Sequence, residues 1–178
     1  MPNNRWKEVS TMQGEKVVIL MGSRKDLEFA SPMGRLLEEF GVDYEYRVAS
    51  AHKTPRRVLK IIEEYEGSED KIVYITVAGL SDALSGVVAG YAGRHPVIAC
   101  PPDPERHDGA KVLSTLDTPV GVPVSLVLRP ENAVLHALRI MSLGNPELSQ
   151  KVLRYQRRMA EKVEGDDREI KNKRVSEL

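Results

Sequence analysis

Apolar residues along the chain fall into two alternating patterns. The first is a short, mostly β-branched run, KVVIL at residues 16–20, which is typical of a strand buried on both faces. Similar runs occupy residues 44–49, 71–78, 95–100 and 123–128. The second pattern has helical spacing and involves Leu27, Ala30, Met33, Leu36, Leu37 and Phe40, and then Val58, Ile61, Ile62 and Tyr65.

Strands and helices that alternate in this way predict right-handed βαβ units, and hence a mostly parallel sheet with helices on both faces. We therefore expect an α/β fold with α/β/α layers, of the flavodoxin-like or Rossmann-like class. The sheet should contain about five strands, one for each apolar run.

Two helix starts can be examined from the sequence. Thr54 is expected to cap the second helix, with Pro55 as its first residue. The first helical pattern contains Pro32, which removes a backbone donor and clashes with the preceding turn. Either the helix is kinked there, or it restarts at Pro32 with Ser31 as its cap.

A further helix is predicted after residue 143, with Asn145 as its cap and Pro146 in its first turn. Its apolar stripe, which needs a surface to pack on, consists of Leu148, Val152, Tyr155, Met159 and Val163. We expect an N-terminal extension at 1–15, one α/β domain at 16–163 that includes this docking helix, and a charged tail at 164–178 that frays.

Composition and charge narrow the classes of function. The chain has 178 residues, 41% of them hydrophobic, and 26 basic side chains balance 26 acidic ones. A neutral balance does not favour nucleic acid or an anionic membrane as partner. The single cysteine, Cys100, cannot form an intramolecular disulfide. With no signal-peptide pattern and no apolar run near the roughly 20 residues of a membrane span, we expect a cytoplasmic protein.

Ligands of doubly wound sheets bind at the carboxyl ends of the strands, so the loops there are the candidate site. The first loop, MGSRKD, offers Gly22 for close backbone approach, the Ser23 hydroxyl and a helix start suited to phosphate. The alternative is an ordinary strand-to-helix turn with Asp26 as the cap.

The second loop, SAHKTP, combines a proton carrier with groups that bind anions. The His52 imidazole can exchange a proton near neutral pH, Lys53 supplies a cation, and Ser50 supplies a hydroxyl donor. These three side chains are suited to transferring a proton beside a bound phosphate. The alternative is that His52 only hydrogen-bonds a loop carbonyl.

The remaining loops and histidines carry weaker signals. The loop AGLSDALSG at residues 78–86 is rich in small residues, and its backbone can approach a flat ligand; CPPDPERHDG at residues 100–109 is stiff enough for a wall or lid. His136 has helical spacing and is expected to pack or to form an interface. His95 and His107 are expected to be solvated loop residues.

Taken together, ILMGSRKD, SAHKTP, YITVAGLSDALSG, VIACPP and LRPENAVLHALRIMSL resemble a known enzyme family in order and spacing. It is the PurE family of purine biosynthesis, which contains aminoimidazole ribonucleotide (AIR) carboxylases and N5-carboxyaminoimidazole ribonucleotide mutases. The lysine of SAHKT, the DALSG loop and ACPP look more like the branch that uses carbon dioxide directly.

The resemblance implies a site, a reaction and an assembly. His52 would be the proton shuttle at carbon 4 of the imidazole, and carbon dioxide and a ribotide would be the substrates, with no metal or other cofactor. The residues implied to bind the ribotide are Gly22, Ser23, Asp26, Ser50, Ala51, Lys53, Ala78, Gly79, Ser81, Asp82 and Leu84. Family members are homo-oligomers, typically tetramers or octamers, with C-terminal helices packed on neighbouring subunits.

The chain departs from the usual pattern of the carbon dioxide branch at three positions. Leu80 replaces an arginine and Asp82 an asparagine in the GRSN motif, while Asp117 replaces another arginine. Lost charge-assisted hydrogen bonds could weaken binding by about 1.5–3 kcal/mol each, unless these side chains face away from the ligand. The mutase reaction, or another phosphorylated ribotide, therefore remains an alternative. A receiver or flavin-binding domain fits less well, because the first loop lacks an acidic pair and aromatic residues are only 5% of the chain.

Overall fold

The computed structural model describes residues 14–105 and 109–174, so His107 and nearly all of the expected N-terminal extension lie outside the described residues. All five predicted strands are present. They are β1 (Glu15–Met21), β2 (Asp43–Val48), β3 (Lys71–Val77), β4 (Val97–Ala99) and β5 (Ser125–Leu126). Every pairing is parallel and the order is β2-β1-β3-β4-β5. The chain reverses direction across the sheet between β1 and β3, which is the switch point where such sheets bind ligands.

The helices form a layer on each face of the sheet. They are α1 (Leu27–Phe40), α2 (Pro55–Glu66), α3 (Ala83–Tyr91), α4 (Leu113–Leu116), α5 (Pro130–Ser142) and α6 (Pro146–Ile170). Buried residues of α1, α5 and α6 form one core with one face of the sheet, and buried residues of α2 and α3 form a second core with the other face. The three-layer α/β/α prediction is confirmed.

The interior strand β1 shows why its sequence is an unbroken apolar run from Val17 to Met21. Val17 and Ile19 belong to the core beneath α1, whereas Val18 and Leu20 belong to the core beneath α2. All four are 0% exposed. Because successive side chains of a strand point to opposite faces, a strand covered on both sides has no position for a polar residue.

The helix α1 continues through Pro32 without a restart. Proline has no N–H to offer the carbonyl of Glu28, four residues earlier. The Ser31 hydroxyl donates to that carbonyl at 3.0 Å and satisfies it. Ser31 therefore lies inside α1 and replaces the hydrogen bond that Pro32 cannot donate, and it does not cap a new helix.

Of the two helix caps predicted at Thr54 and Asn145, only Asn145 makes the capping hydrogen bond. Asn145 caps α6, accepting the Leu148 N–H at 3.0 Å as expected. Thr54 does precede α2, with Pro55 in the first turn, but its side chain makes no capping bond. Its hydroxyl is held instead by the Ser50 backbone.

The C-terminal helix is longer than the sequence indicated. α6 ends at Ile170 and so extends into residues 164–178, for which the sequence predicted a frayed tail. This segment is rich in charged residues, which include helical i,i+4 ion pairs such as Arg168 with Glu164. No helix within the described residues is both long and apolar enough to cross a membrane.

Candidate active site

The loops that follow β1 to β4 surround an open cavity of about 950 Å³ at the carboxyl edge of the sheet. All but one of the residues predicted for the site line it: Gly22, Ser23, Asp26, Ser50, Ala51, His52, Lys53, Ala78, Gly79, Ser81 and Leu84. The exception is Asp82. Loops that are distant in sequence therefore converge at the switch point of the sheet.

The first loop is fixed to the end of β3 and presents a carboxylate to the cavity. The Gly22 N–H donates to the Val77 carbonyl at 2.8 Å. Ser23 begins a short 3₁₀ turn (Arg24–Asp26), its hydroxyl accepting the Lys25 N–H at 3.2 Å. Asp26 precedes α1 but its side chain makes no capping bond, contrary to the ordinary-turn alternative. The carboxylate is thus left to face the cavity.

Asp26 lies between two glycines that leave room for it. A Cβ added to Gly79 would stand 3.2 Å from Asp26 Oδ1, and one added to Gly22 would stand 3.8 Å from Oδ2. Burial raises the pKa of the Asp26 carboxyl above its ordinary value, while the Ser23 backbone amide and the Lys111 cation oppose that rise.

The second loop is a compact hydrogen-bonded turn. The Thr54 hydroxyl accepts the Ser50 N–H at 2.9 Å, and the Ser50 hydroxyl accepts the Lys53 N–H at 3.2 Å. His52, at the tip of this turn, is exposed and lines the cavity. Within the described part of the chain its imidazole makes no hydrogen bond. The structure therefore gives no support to the alternative in which His52 only hydrogen-bonds a loop carbonyl.

The third loop approaches the cavity through small residues, but Asp82 is directed elsewhere. Its carboxylate is buried and caps α3, accepting the Ser85 N–H at 3.0 Å. It also accepts the hydroxyls of Ser85 and Thr115, both at 2.7 Å. The expectation that Asp82 contacts ligand is not met by this geometry: it joins the start of α3 to α4 and so shapes the loop.

The fourth loop forms a wall, as its prolines suggested. Pro102 and Asp103 line the cavity, and Asp103 has a φ of 51°, an uncommon backbone conformation for a residue other than glycine. Three lining residues that the sequence reading missed come from the turn before α1 and its first residues: Lys25, Glu28 and Phe29. Lys25 lies within the first loop and Glu28 and Phe29 follow it closely, and these positions were the available signal.

The other histidines and the cysteine lie outside the cavity. His95 is buried rather than solvated, because it packs against Tyr74 with ring centroids 6.1 Å apart, and its Nε2 is 3.6 Å from Glu66 Oε1. His136 is half-buried on α5, and Cys100 is fully buried. Among the described residues, no three His, Cys, Asp or Glu side chains are grouped as metal ligands would be.

A sequence model of one family, described as AIR carboxylase, matches residues 16–162. The chain belongs to the AIR carboxylase family. A phosphoribosylaminoimidazole carboxylase of Archaeoglobus fulgidus is 41% identical over 89% of this chain and 87% of that protein. An N5-carboxyaminoimidazole ribonucleotide mutase of Methanocaldococcus jannaschii is 39% identical over 87% of this chain and 97% of that protein. The resemblance identified from the motifs is thereby confirmed.

A solved structure supports the same assignment. The crystal structure of Treponema denticola PurE has a TM-score of 0.85 and 41% sequence identity, and the match covers 89% of this chain and 99% of that one. AIR carboxylase family relatives with this degree of similarity thus include proteins named for both activities.

The three departures from the usual family pattern occupy different surroundings in this AIR carboxylase family member. Leu80 lines the cavity and is 64% exposed. Asp82 is enclosed by its three donors, and Asp117, exposed at the end of α4, does not line the cavity. Of the three, only the change at Leu80 alters a surface that a ligand in the cavity can touch.

Proposed function

We propose that the chain catalyses a step of purine biosynthesis, the reversible carboxylation of AIR by carbon dioxide at carbon 4 of its imidazole. The product is 4-carboxy-5-aminoimidazole ribonucleotide (CAIR). The observation that carries this proposal is the placement of the His52 imidazole in a cavity whose other loops present a carboxylate, hydroxyls and a lysine. The Archaeoglobus fulgidus relative named a carboxylase supports it.

The groups in the cavity suit the two ends of a ribotide. The Lys53 ammonium and the hydroxyls of Ser23 and Ser50 can donate to phosphate oxygens, and Asp26 can accept from ribose hydroxyls. The backbone from Ala78 to Gly79 is free of large side chains and can lie along the flat imidazole. The ring would then be held with carbon 4 toward His52.

The reaction needs one new bond and one proton transfer. Carbon 4 of the electron-rich imidazole attacks the carbon of carbon dioxide, which forms the carbon–carbon bond and leaves carbon 4 with both a proton and a carboxylate. His52 removes that proton, and the electron pair of the carbon–hydrogen bond restores the aromatic ring. In the reverse direction His52 returns the proton and carbon dioxide leaves. Positioning and general acid–base catalysis are therefore the main demands on the protein.

A mutase reaction is a second candidate because a relative that is 39% identical carries that name. A mutase would move the carboxylate from the exocyclic nitrogen to carbon 4 and would use the same cavity and the same histidine. A third candidate, a family member acting on another phosphorylated ribotide, is favoured by Leu80, where an uncharged side chain lines the cavity.

The deciding experiment is an ultraviolet assay of CAIR decarboxylation with wild type, His52→Asn and His136→Asn. His136 is half-buried on α5 outside the cavity and is the matched control. We expect His52→Asn to lose about 10²- to 10⁴-fold in rate and His136→Asn to keep the wild-type rate. If wild type leaves CAIR unchanged but converts N5-carboxyaminoimidazole ribonucleotide, the mutase is correct. If the protein acts on neither compound, the result supports the third candidate, a family member that acts on another phosphorylated ribotide.

We also propose that the chain is a homo-oligomer, a tetramer or an octamer, in which α6 contacts a neighbouring subunit. Of its 25 residues only Leu148 and Val152 are buried, whereas Met159 is 40% and Val163 67% exposed. Light scattering of Val163→Asp should give a smaller mass than wild type, with Lys162→Asp as the control on the same helix. An unchanged mass for Val163→Asp would exclude this part of α6 from the interface.

A further inference from the structure

Three polar side chains meet near the amino edge of the sheet, at the opposite end of the strands from the cavity. Glu66 is the last residue of α2, Tyr74 lies on β3, and His95 precedes β4. Within residues 14–105 and 109–174, Glu66 Oε1, the Tyr74 hydroxyl and His95 Nε2 are buried and have no hydrogen-bond partner. Native proteins pair nearly all such atoms with protein groups or ordered water, so these three atoms point to a bound ligand.

The imidazole of His95 brings the three groups together. Its Nε2 lies 3.6 Å from Glu66 Oε1, and its ring packs edge to face against Tyr74 with centroids 6.1 Å apart. The His95 side chain is only 4% exposed and Tyr74 is 0% exposed. The Glu66 carboxylate also acts on the Tyr74 hydroxyl, whose pKa it raises together with burial. A separation of 3.6 Å is too long for a direct hydrogen bond, but one water molecule can bridge it.

The two atoms that face each other across this gap are both acceptors. The Ile72 carbonyl accepts a hydrogen bond from the His95 ring, and because Nε2 has no partner among the described residues, the donor is Nδ1. In a neutral imidazole the other nitrogen, Nε2, is then an acceptor, as is the carboxylate oxygen of Glu66. Glu66 also places its negative charge at the negative end of α2. Both atoms therefore need a donor from outside the pair.

The loop that carries His95 is shaped around the Glu66 carboxylate. Gly93 has a φ of 51°, a conformation that favours glycine, and a Cβ added there would lie 3.2 Å from Glu66 Oε2. The next residue, Arg94, fastens the loop, because its guanidinium donates to the Ser68 carbonyl beyond the end of α2. One carboxylate oxygen of Glu66 thus lies beside Gly93 and the other faces His95.

We propose that Glu66, Tyr74 and His95 form a binding site for one buried water molecule. The water donates one hydrogen to His95 Nε2 and the other to Glu66 Oε1, and it accepts the hydrogen of the Tyr74 hydroxyl. Each of the three side-chain atoms then has a partner, and the water makes three hydrogen bonds, the usual number for a buried water. The water joins the end of α2 to β3 and to the loop before β4. This site does not depend on the proposed function.

A crystal structure of the wild-type protein, at a resolution that shows ordered water, tests the site directly. We expect a density peak within about 3.2 Å of His95 Nε2, Glu66 Oε1 and the Tyr74 hydroxyl. Nitrogen-15 NMR of His95 near pH 8 should show Nδ1 as the protonated ring nitrogen and Nε2 as the unprotonated one. Either the absence of that peak or a protonated Nε2 would overturn the proposal.

Tyr74→Phe provides a second test, in solution, because it removes only the hydroxyl. If that hydroxyl donates to a bound water, the urea midpoint of unfolding should fall, whereas removal of a buried hydroxyl without a partner should raise it. The matched control is Tyr91→Phe, which removes an exposed hydroxyl bonded to Glu63 at 3.1 Å and should leave the midpoint nearly unchanged. A midpoint of Tyr74→Phe at or above that of wild type would overturn the proposed site.

Discussion

The Tyr46 hydroxyl of β2 is inserted into the backbone hydrogen bonding of α1, opposite Gly34. It accepts the Gly34 N–H at 3.1 Å and donates to the Ala30 carbonyl at 3.2 Å. In a regular helix these two backbone groups would bond to each other, four residues apart. The insertion spans Pro32, which lies between Ala30 and Gly34, and it ties the first helix to the edge strand of the sheet.

Gly34→Ala is predicted to destabilise the protein, although alanine is the better helix former by about 1 kcal/mol. The added Cβ would stand 2.5 Å from the Tyr46 hydroxyl and 2.9 Å from a ring carbon of Tyr44. Displacing these rings should lower the free energy of unfolding by about 1–3 kcal/mol. Urea unfolding followed by circular dichroism measures it.

Gly86→Ala is the matched control for that experiment. Gly86 also lies inside a helix, α3, but a Cβ there would meet no atom within 4 Å. We expect this variant to be more stable than wild type by about 0.5–1 kcal/mol. If both alanine variants changed stability in the same direction, packing against the tyrosines would not be the cause.

The strands of the sheet could be predicted from the sequence, because strands that are buried on both faces appear in it as continuous apolar runs. The sequence was not sufficient at Pro32, where the helix is kept continuous by the Ser31 hydroxyl and a tyrosine from another element. It also misplaced His95, whose burial depends on how α2 and β3 pack around it. Local spacing carries no information about such long-range neighbours.

The same division applies to the candidate site. Small residues, a histidine and hydroxyls after buried strands marked the cavity loops, since strand ends of a parallel sheet meet at one edge. Asp82 looked like a ligand contact for the same reason. Thr115, which is 33 residues further along the chain, is one of the groups that turn its carboxylate inward.

Thr115→Val should destabilise the protein by about 1.5–3 kcal/mol, because it removes a donor to the buried Asp82 carboxylate. The variant keeps the volume of the side chain. Thr115→Ser retains the hydroxyl and should lose less, even though it removes a methyl group. Thermal unfolding of both variants compares the two effects. A larger loss for Thr115→Ser would show that the methyl group matters more than the bond.

Cys100 is predicted to be unreactive in the folded protein. It is 0% exposed, and burial raises the pKa of its thiol to about 12, with the charge of Glu131 acting in the same direction. The thiolate, which is the reactive form, is therefore scarce at pH 8. Iodoacetamide labelling should proceed at least about 100-fold faster in denaturant than in buffer. Comparable rates in the two conditions would contradict this burial.

His95 is predicted to make stability depend on pH. Burial lowers the pKa of its imidazole, outweighing Glu66 and the Ile72 carbonyl, which favour the charged form, while the Arg94 charge acts in the same direction as burial. The folded protein thus takes up the proton less readily than the unfolded chain, in which histidine titrates near pH 6.5. The His95 contribution is complete above that pH and declines as the pH falls through the unfolded and then the folded pKa.

Urea unfolding of wild type and His95→Gln at several pH values from 8 down to 5 tests this sign. The change in the free energy of unfolding across that range should be smaller in His95→Gln, which cannot take up the proton, whatever its absolute stability. His136→Gln removes a histidine from a half-buried position on α5 and should retain the wild-type slope. Equal slopes for wild type and His95→Gln would mean that other groups cause the acid dependence.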